Sequence, residues 1–289
     1  TMRILITGCK GQLGSELMAL AAVIPKVEAI GVDIDSLDLT DSSEVEAFLR
    51  RERFTHVVNC AAYTAVDRAE EQKAQCAAAN IAAVENIARL ADELDFRILH
   101  ISTDYIFDGM ACRPYDESAK PNPLNVYGST KRRGETALLG LAPESVIIRT
   151  GWLYSAGNNN FVHTILERGR QDKRLEVVVD QTGTPTYAAD LAQAVMTVLT
   201  APAWMPGIYN YSNEGIASWY DFAVAILETA GMHRQAEAVV PVSSADYTTP
   251  AVRPAYTVLD KSKIKATFGI SIPHWQASLR KCIAAINII

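Results

Sequence analysis

The sequence lacks the features that mark several large classes of protein. It has no long basic run and a formal net charge of -6, whereas binding to nucleic acid phosphates needs clustered Lys and Arg. No segment approaches the roughly 18 unbroken apolar residues of a membrane-spanning helix, and the chain opens with the apolar run MRILITG rather than a signal peptide. We therefore expect a cytoplasmic protein that binds neither nucleic acid nor membrane.

Cysteine is also scarce, and its spacing suggests no site. The five cysteines are scattered and contain no Cys-x-x-Cys pair, and the five histidines show no clustered ligand spacing. We expect reduced thiols and no metal. Hydrophobic residues make up 49% of the 289 residues and charged residues 21%, which is typical of a folded globular chain. That length is enough for one large α/β domain with a smaller lobe.

The first half of the chain alternates short apolar runs with segments of helical length and period. Strands are predicted at residues 3–7, 27–32, 56–59, 97–101 and 146–149. Helices are predicted at residues 12–22, 43–51, 75–94 and 126–139. Because parallel strands need crossover connections, this alternation predicts the α/β class, with a Rossmann-type, doubly wound parallel sheet that carries helices on both faces.

Beyond Thr150 the pattern changes to loops rich in Gly, Asn and Pro, which predicts a smaller, mixed α/β substrate lobe. An apolar stripe over residues 188–199 predicts a helix that returns to the large sheet. Short strands are predicted around GIYNYS and AEAVVPV, with a helix over 219–230. We assign residues 1–150, with a returning segment near 186–212, to the sheet domain, and residues 151–185 and 213–289 to the lobe.

Three glycines, Gly8, Gly11 and Gly14, stand between the first predicted strand and the first predicted helix. Such glycines allow a tight turn, close approach of the backbone to a pyrophosphate, and close packing of helix on strand. The helix amino terminus adds unpaired N–H groups and a positive dipole end. A glycine-rich turn without a ligand is the alternative, but Asp33, about 19 residues beyond Gly14 at the end of the second strand, favours a dinucleotide.

Asp33 also bears on which dinucleotide binds. Its carboxylate would accept hydrogen bonds from the adenosine ribose hydroxyls and repel a 2′-phosphate, which favours NADH. Asp35 adds to the repulsion, whereas Lys10 or a turned-away Asp33 would admit NADPH. The sequence therefore predicts NADPH or NADH as the cofactor and leaves the choice open.

Chemistry is predicted at the carboxyl ends of the strands, where ligands of open α/β sheets bind. The fourth strand leads to Thr103 and Asp104, while Tyr127 and Lys131 lie four residues apart on one face of the next helix. Hydride addition to a ketone leaves negative charge on oxygen, which needs a proton from a positioned acid. We expect Tyr127 to be that acid, with its pKa lowered by Lys131 and the oxidised nicotinamide. Thr103 would donate to the same oxygen, and Lys131 would also bond the nicotinamide ribose.

Each of these residues also has an ordinary structural interpretation. Lys131 could pair with Glu135, four residues further on, across a solvated helix face. Thr103 could cap a loop, and Tyr127 could be a packing aromatic whose hydroxyl meets water. The glycine turn upstream favours the catalytic interpretation, because acids with shifted pKa values are common beside cofactors.

Six motifs occur in order over nearly the whole chain: GCKGQLG, NCAAYTAVDRAE, STDYIFDG, NVYGSTK, RTGWLY and TPAVRP. With them the sequence resembles the dTDP-4-dehydrorhamnose reductases of the extended short-chain dehydrogenase superfamily. The resemblance implies that NADPH or NADH reduces the 4-keto group of dTDP-4-dehydro-L-rhamnose, a nucleotide sugar. That reaction is the last step in making dTDP-L-rhamnose for bacterial surface polysaccharide.

The resemblance also implies the roles of individual residues. The implied catalytic residues are Thr103, Tyr127 and Lys131. The implied cofactor contacts are Lys10, Gly11, Gln12, Leu13, Asp33, Asp38, Leu39, Ala62, Tyr63 and Thr64. The implied sugar contacts are Thr103, Asp104 and Trp152.

Ala61 and Arg253 are further candidates on physical grounds, and Trp152 has a physical argument of its own. Ala61, like Ala62, is small enough for a cofactor to approach closely, although simple packing is the alternative. Trp152 could form a wall for the sugar, or it could be a generic buried aromatic. Arg253 could bind the substrate pyrophosphate bidentately, or it could be a surface arginine.

One position departs from the resembled family. Some members bind magnesium through an acidic side chain just after a G-x-P-T loop and dimerise through it. The corresponding residue here is Ala189, and the adjacent Asp190 would point elsewhere on a helix. We therefore expect a monomer or a weak homodimer.

Two other functions fit parts of the pattern. A nucleotide-sugar epimerase or dehydratase of the same superfamily would keep NAD bound, but the dehydratase acid pair is incomplete because Asp104 is followed by Tyr105. A non-catalytic subunit that resembles the methionine adenosyltransferase beta subunit is the other alternative, which the intact Thr103, Tyr127 and Lys131 argue against. Consumption of NAD(P)H in proportion to product separates a reductase from both.

Replacement of Tyr127 by Phe tests the predicted proton donor. We expect Tyr127→Phe to lower turnover on the order of 10²- to 10⁴-fold, the usual contribution of a positioned acid, with cofactor binding largely kept. Turnover is followed as loss of reduced nicotinamide absorbance with dTDP-4-dehydrorhamnose. Unchanged turnover in this variant would refute the assignment.

Overall fold

The computed structural model describes residues 1–288, with side chains described through residue 286. The strands are β1 (Met2–Thr7), β2 (Val27–Val32), β3 (His56–Asn59), β4 (Arg97–Thr103), β5 (Val146–Thr150), β6 (Leu153–Tyr154), β7 (Glu176–Val178), β8 (Thr182–Gly183), β9 (Thr186–Tyr187), β10 (Gly207–Asn210), β11 (Ala217–Ser218) and β12 (Val240–Val242). The helices are α1 (Gln12–Ala21), α2 (Ser42–Glu52), α3 (Val66–Ala69), α4 (Lys73–Ala77), α5 (Ala83–Ala88), α6 (Val126–Leu141), α7 (Phe161–Arg170), α8 (Ala188–Leu199), α9 (Trp219–Thr229), α10 (His233–Glu237), α11 (Ser262–Phe268) and α12 (Trp275–Ile288). Over this described part of the chain, no helix combines the length and the apolar character needed to cross a membrane.

Six strands form the central sheet, in the order β10-β5-β4-β3-β1-β2, and every pairing in it is parallel. The predicted Rossmann-type sheet is thus confirmed. All five strands predicted from the first half are present, and the largest difference is at β4, which continues to Thr103. That extension matters because it places Thr103 at the carboxyl edge of the sheet.

The two faces of the sheet are covered by different helices, as the alternation of strand side chains requires. On one face Ile4 and Ile6 of β1 pack in a cluster with Leu17 of α1 and the buried side of α8. On the other face Leu5 packs in a cluster with apolar residues of α2, α5 and α6. The predicted return of the 188–199 segment to the sheet is therefore confirmed.

The helix predicted over residues 75–94 is wrong in two respects. It is interrupted by a π-helical turn at Ala78–Ala82, and its regular part ends at Ala88. The turn surrounds Asn80, whose buried side chain bonds outside the helix. Past Ala88 three-residue backbone bonds, such as that from Leu90 N to Ile87 O at 3.2 Å, are mixed with four- and five-residue bonds, so the regular α-helix ends.

The second half of the chain supplies both the lobe and part of the sheet domain. Apolar residues of α7, α9 and α12 form a separate buried cluster. The GIYNYS segment forms β10, which pairs with β5 in the main sheet. Only the end of AEAVVPV is a strand, because α10 takes up its first residues. Ile264 and Ile272, which the prediction assigned to the lobe, pack in the sheet core, and the proposed domain boundaries remain a prediction.

Packing between α1 and the sheet gives a stability test. Leu17 is fully buried, whereas Val23, just beyond the same helix, is 75% exposed. We expect Leu17→Ala to lower the free energy of unfolding by about 2–5 kcal/mol, because it leaves a cavity in the core. The control Val23→Ala should change it by less than about 0.5 kcal/mol. Urea denaturation measures both, and equal effects would contradict the described packing.

Candidate active site

A large cleft of about 930 Å³ opens at the carboxyl edge of the central sheet. Residues that follow β1, β3, β4 and β5 line it, as expected for an open α/β sheet. The predicted site residues that line the cleft are Gly8, Lys10, Gly11, Gln12, Leu13, Gly14, Asp33, Asp38, Leu39, Ala61, Ala62, Thr64, Thr103, Asp104, Tyr127, Lys131 and Trp152. Tyr63 and Arg253 do not line it.

The glycine turn fits tightly against its surroundings. Gly8 has φ +65°, a left-handed conformation that favours glycine, and a Cβ there would lie 2.9 Å from the backbone nitrogen of Ala61. A Cβ on Gly14 would lie 2.1 Å from the carbonyl oxygen of Gly8. Glycine is therefore needed at Gly8 for the turn and at Gly14 for the close packing of α1 on β1.

The amino terminus of α1 is open towards the cleft. Its N-cap residue is Gly11, so no side chain accepts hydrogen bonds from the first N–H groups of the helix. Such N–H groups, together with the positive end of the helix dipole, bind anions. The donor chemistry and the glycine clearance fit the pyrophosphate of a dinucleotide.

Gln12 connects this turn to the second half of the chain. Its amide nitrogen donates to the carbonyl oxygen of Leu153 at 3.3 Å. Its amide oxygen accepts from Ser155 Oγ at 3.2 Å and from Asn160 Nδ2 at 3.1 Å. The glycine turn and the loop after β6 are therefore held in a fixed relation to each other.

The acidic residues after β2 already have partners within the chain. Asp33 accepts hydrogen bonds from the backbone N–H groups of Lys10 at 3.0 Å and Ile34 at 2.9 Å. A carboxylate has further lone pairs, so Asp33 can still accept from ribose hydroxyls. Lys10 forms an exposed ion pair with Asp35 at the same end of the cleft. Both signs of charge are thus present beside Asp33, the residue predicted to bind the adenosine ribose, which fits either NADPH or NADH.

Local caps fix the position of Tyr127 at the start of α6. Asn125 caps this helix by accepting from the N–H of Gly128 at 2.8 Å. A Cβ on Gly128 would lie 2.1 Å from the carbonyl oxygen of Tyr105, so the helix approaches the turn after β4 very closely. The Tyr127 ring consequently packs edge-on against the ring of Tyr105, with centroids 6.0 Å apart.

Lys131 is buried rather than placed on a solvated helix face. Its Nζ donates to the carbonyl oxygen of Ile101 on β4 at 2.6 Å. Burial lowers the pKa of Lys131 to about 8, although the nearby Glu135 carboxylate opposes this change. The structure therefore does not support the ordinary interpretation, an exposed Lys131–Glu135 pair.

Glu135 is instead held by two arginines. Arg149 of β5 binds both carboxylate oxygens, at 2.9 and 2.8 Å, and Arg132 binds one of them at 2.8 Å. Burial alone would raise the pKa of Glu135, but the hydrogen bonds and charge of Arg149 hold it below its usual value. A buried ionised carboxylate therefore lies one helical turn from Lys131.

The expected lowering of the pKa of Tyr127 by Lys131 is wrong for this structure. Burial raises the pKa of Tyr127 to about 12, and hydrogen bonding with Thr103 offsets this only in part. Lys131 contributes little because its ammonium is directed to Ile101 O. The hydroxyl of Tyr127 is therefore protonated at neutral pH and next to that of Thr103.

Asp104 is a second buried acid at the same edge. Burial raises its pKa to about 6, despite hydrogen bonds from Thr257 and Thr103. Gly151 makes room for it, because a Cβ at that position would lie 2.4 Å from the carboxyl group. Asp104 therefore holds its proton to a higher pH than an exposed aspartate does.

Trp152 has a left-handed backbone, with φ 52°, which is uncommon for a bulky residue. Its indole stacks on that of Trp219, with ring centroids 3.7 Å apart, and both line the cleft together with Phe161. Of these three aromatic residues, only Trp152 was predicted from the sequence, whereas Trp219 and Phe161 were not. No local motif marks them, since α7 and α9 carry them in from distant parts of the chain.

Tyr63 and Arg253 lie outside the cleft because other residues bind them. Tyr63 donates its backbone N–H to Asn80 at 2.9 Å and its hydroxyl to Gln72 at 2.7 Å. Arg253 forms a bidentate ion pair with Asp67, at 2.9 and 3.0 Å. Its guanidinium is also close to Tyr105, which does line the cleft.

At the position of the magnesium-binding acid, Ala189 is packed against the lobe core. The adjacent Asp190 accepts hydrogen bonds from Asn213 and Ser278. Asp190 is therefore engaged within the chain, and the expectation of a monomer or weak homodimer without metal remains a prediction.

The chain is similar in sequence and structure to several known proteins. The model of the RmlD substrate binding domain family matches residues 2–288. The chain is 38% identical over 285 residues to a dTDP-4-dehydrorhamnose reductase of Aggregatibacter actinomycetemcomitans, which covers 96% of this chain and 97% of the relative. It is 39% identical to a probable dTDP-4,6-dihydroxy-2-methyloxan-3-one 4-ketoreductase of Streptomyces antibioticus, covering 99% and 96% of the two chains. The crystal structure of a Bacillus anthracis dTDP-4-dehydrorhamnose reductase in complex with NADP has a TM-score of 0.93, with 33% identity and coverage of 98% and 99%.

Burial of Lys131 should destabilise the fold in a pH-dependent way. Below pH 8 the ammonium is charged in both folded and unfolded chains, so the full desolvation penalty applies. Between about 8 and the usual 10.5, the unfolded chain keeps the proton that the folded chain releases, so stability rises with pH. We expect Lys131→Met to increase the free energy of unfolding at pH 7 by on the order of 1–3 kcal/mol, with a smaller gain near pH 10.

Lys263→Met is the matched control for this test. Lys263 also donates to a backbone carbonyl, that of Ile208 at 2.7 Å, but its side chain is exposed. We expect no stabilisation from this change. Urea denaturation at both pH values measures the effects, and a pH-independent loss of stability in Lys131→Met would contradict the described burial.

Proposed function

The chain belongs to the RmlD substrate binding domain family, and we propose that it is an NAD(P)H-dependent dTDP-4-dehydrorhamnose reductase. In this proposal it reduces the 4-keto group of dTDP-4-dehydro-L-rhamnose and yields dTDP-L-rhamnose. The relative from A. actinomycetemcomitans carries the corresponding name, and the related crystal structure from B. anthracis contains NADP.

One observation carries the proposal more than any other. A single cleft is lined both by the glycine turn with the open end of α1 and by Thr103, Tyr127 and Lys131. The first group suits a dinucleotide pyrophosphate, and the second suits a carbonyl oxygen that gains negative charge. A ketone reductase needs both in the same space.

In the proposed reaction Tyr127 donates the proton to the carbonyl oxygen. Because burial raises its pKa to about 12, its hydroxyl carries the proton at neutral pH and can release it only as negative charge develops nearby. Thr103, whose hydroxyl donates to Asp104 at 3.2 Å in this structure, would redirect that hydrogen bond to the same oxygen when the ketone is bound. Lys131 lies on the same helix face one turn later, and its buried ammonium, which donates to Ile101 O, would also bind the nicotinamide ribose.

The cofactor site is proposed on the glycine turn and the ends of β2 and β3. The N–H groups at the start of α1 would bind the pyrophosphate, Asp33 the adenosine ribose, and Ala61 and Ala62 would allow close approach of the dinucleotide. When bound, the reduced nicotinamide supplies the hydride. Asp38, Leu39 and Thr64 complete the proposed contacts, whereas Tyr63 would act by holding its loop.

Asp104, Trp152 and Arg253 are the proposed substrate residues. Asp104 and Trp152 line the cleft beside Thr103 and would contact the sugar. Asp67 engages the NH1 and NH2 atoms of Arg253, one N–H from each, and the guanidinium has five N–H donors. NH1 also donates to Ala251 O at 3.4 Å, and the donors that these contacts leave would bind the pyrophosphate of the nucleotide sugar.

The proposal is tested by a substrate screen with the purified protein. We expect dTDP-4-dehydrorhamnose to be reduced with either NADPH or NADH, with one dinucleotide oxidised per dTDP-L-rhamnose formed. Absorbance of the reduced nicotinamide and chromatography of the nucleotide sugar measure the two quantities. Product formation without net oxidation would instead indicate an epimerase or dehydratase, and no turnover of any nucleotide 4-ketosugar would favour a non-catalytic subunit.

A further inference from the structure

Trp152 and Trp219 form a closely stacked pair of aromatic rings in the cleft. The Trp152 and Trp219 rings are almost parallel, with an interplanar angle of 8° and centroids 3.7 Å apart. Phe161 packs against Trp219 at a centroid distance of 4.8 Å. All three side chains are partly exposed, and they line the same end of the cleft as Gly151.

The backbone on both sides of the pair is arranged for this contact. Trp152 has φ 52°, a conformation with a steric penalty for any residue with a Cβ. Gly183 leaves room for its indole, because a Cβ there would lie 2.7 Å from the ring. A strained backbone persists only where its surroundings hold it, so the stack must contribute to keeping Trp152 in place.

Trp219 itself has a rigid support. It is the first residue of α9, and Ser218 before it forms a capping box with Asp221. β11, which ends at Ser218, pairs with β8, with Ala217 opposite Gly183 and Ser218 opposite Thr182. Trp219, which supports Trp152, and Gly183, which makes room for it, are therefore held in a fixed relative position by the pairing of β11 with β8.

We propose that Trp219 is a positioning residue for the hexose ring of the nucleotide sugar, acting through Trp152. This inference rests on the proposed function. Trp219 fixes the Trp152 indole through the stack, and Trp152 provides the flat apolar wall against which a sugar ring packs. Because no polar group of Trp219 takes part, its removal should weaken binding of the sugar without changing the acid and hydroxyl groups that act on the ketone.

Steady-state kinetics of Trp219→Leu and Trp219→Phe test the proposal. An aromatic stack is worth about 0.5–1.5 kcal/mol beyond its area, so we expect Trp219→Leu to raise KM for dTDP-4-dehydrorhamnose up to about tenfold. The kcat and the KM for NADPH should stay within about twofold, and Trp219→Phe should recover part of the loss because it keeps an aromatic face. Trp204→Leu is the control, since Trp204 packs on His56 outside the cleft and should leave all three constants unchanged.

Calorimetry separates failure of this inference from failure of the proposed function. We expect Trp219→Leu to bind dTDP-L-rhamnose about tenfold more weakly than the unaltered protein does, with its affinity for dTDP unchanged. If the unaltered protein turns over dTDP-4-dehydrorhamnose, and Trp219→Leu has the same KM and the same affinity for dTDP-L-rhamnose as the unaltered protein, then this inference is wrong and the proposed function stands. Absence of turnover in the unaltered protein overturns the proposed function. A parallel rise in KM for NADPH, or a parallel loss of dTDP affinity, would mean that Trp219 has only a general structural role.

Discussion

A positive charge buried beneath the cleft is the constraint on which the arrangement of the site depends. The Lys131 ammonium is removed from water and has a single backbone acceptor, the carbonyl of Ile101. An isolated charge in such a place is strongly unfavourable, so nearby compensation is required. Glu135 supplies it from the next turn of α6, and Arg149 keeps that carboxylate ionised. One set of charges thus ties α6 to β4 and β5.

This arrangement also defines the environment of Tyr127. The phenol lies one helical turn before Lys131, so any movement of α6 that displaced Tyr127 would also break a buried charge network. In the proposed reaction this rigidity would hold in place a hydroxyl that keeps its proton until charge develops next to it. The position of Tyr127 therefore derives from α6 and its raised pKa from burial, whereas the sequence spacing alone suggested a direct effect of the ammonium on the phenol.

Much of the fold and of the site could be predicted because the signals were local. The apolar runs give the strands of the sheet, and the three glycines between β1 and α1 have steric roles that hold whatever the rest of the chain does. What could not be predicted depends on contacts between distant segments. The π-helical turn follows from the bonds of Asn80 to Tyr63 and Thr130, and the ion pair of Arg253 from Asp67, which is 186 positions away. The pKa of Tyr127 was missed because burial is a property of the folded chain.

The pairing of β10 with β5 means that the main sheet is completed by a segment from the second half of the chain. Its residues Gly207–Asn210 come more than fifty positions after β5, yet they cover the outer edge of that strand. Without them the N–H and C=O groups along Val146, Ile147 and Ile148 would form an open edge that other chains could pair with. The chain must therefore be complete past Asn210 before the edge of β5 is paired, and the short β10 then replaces β5 as the outer strand of the sheet.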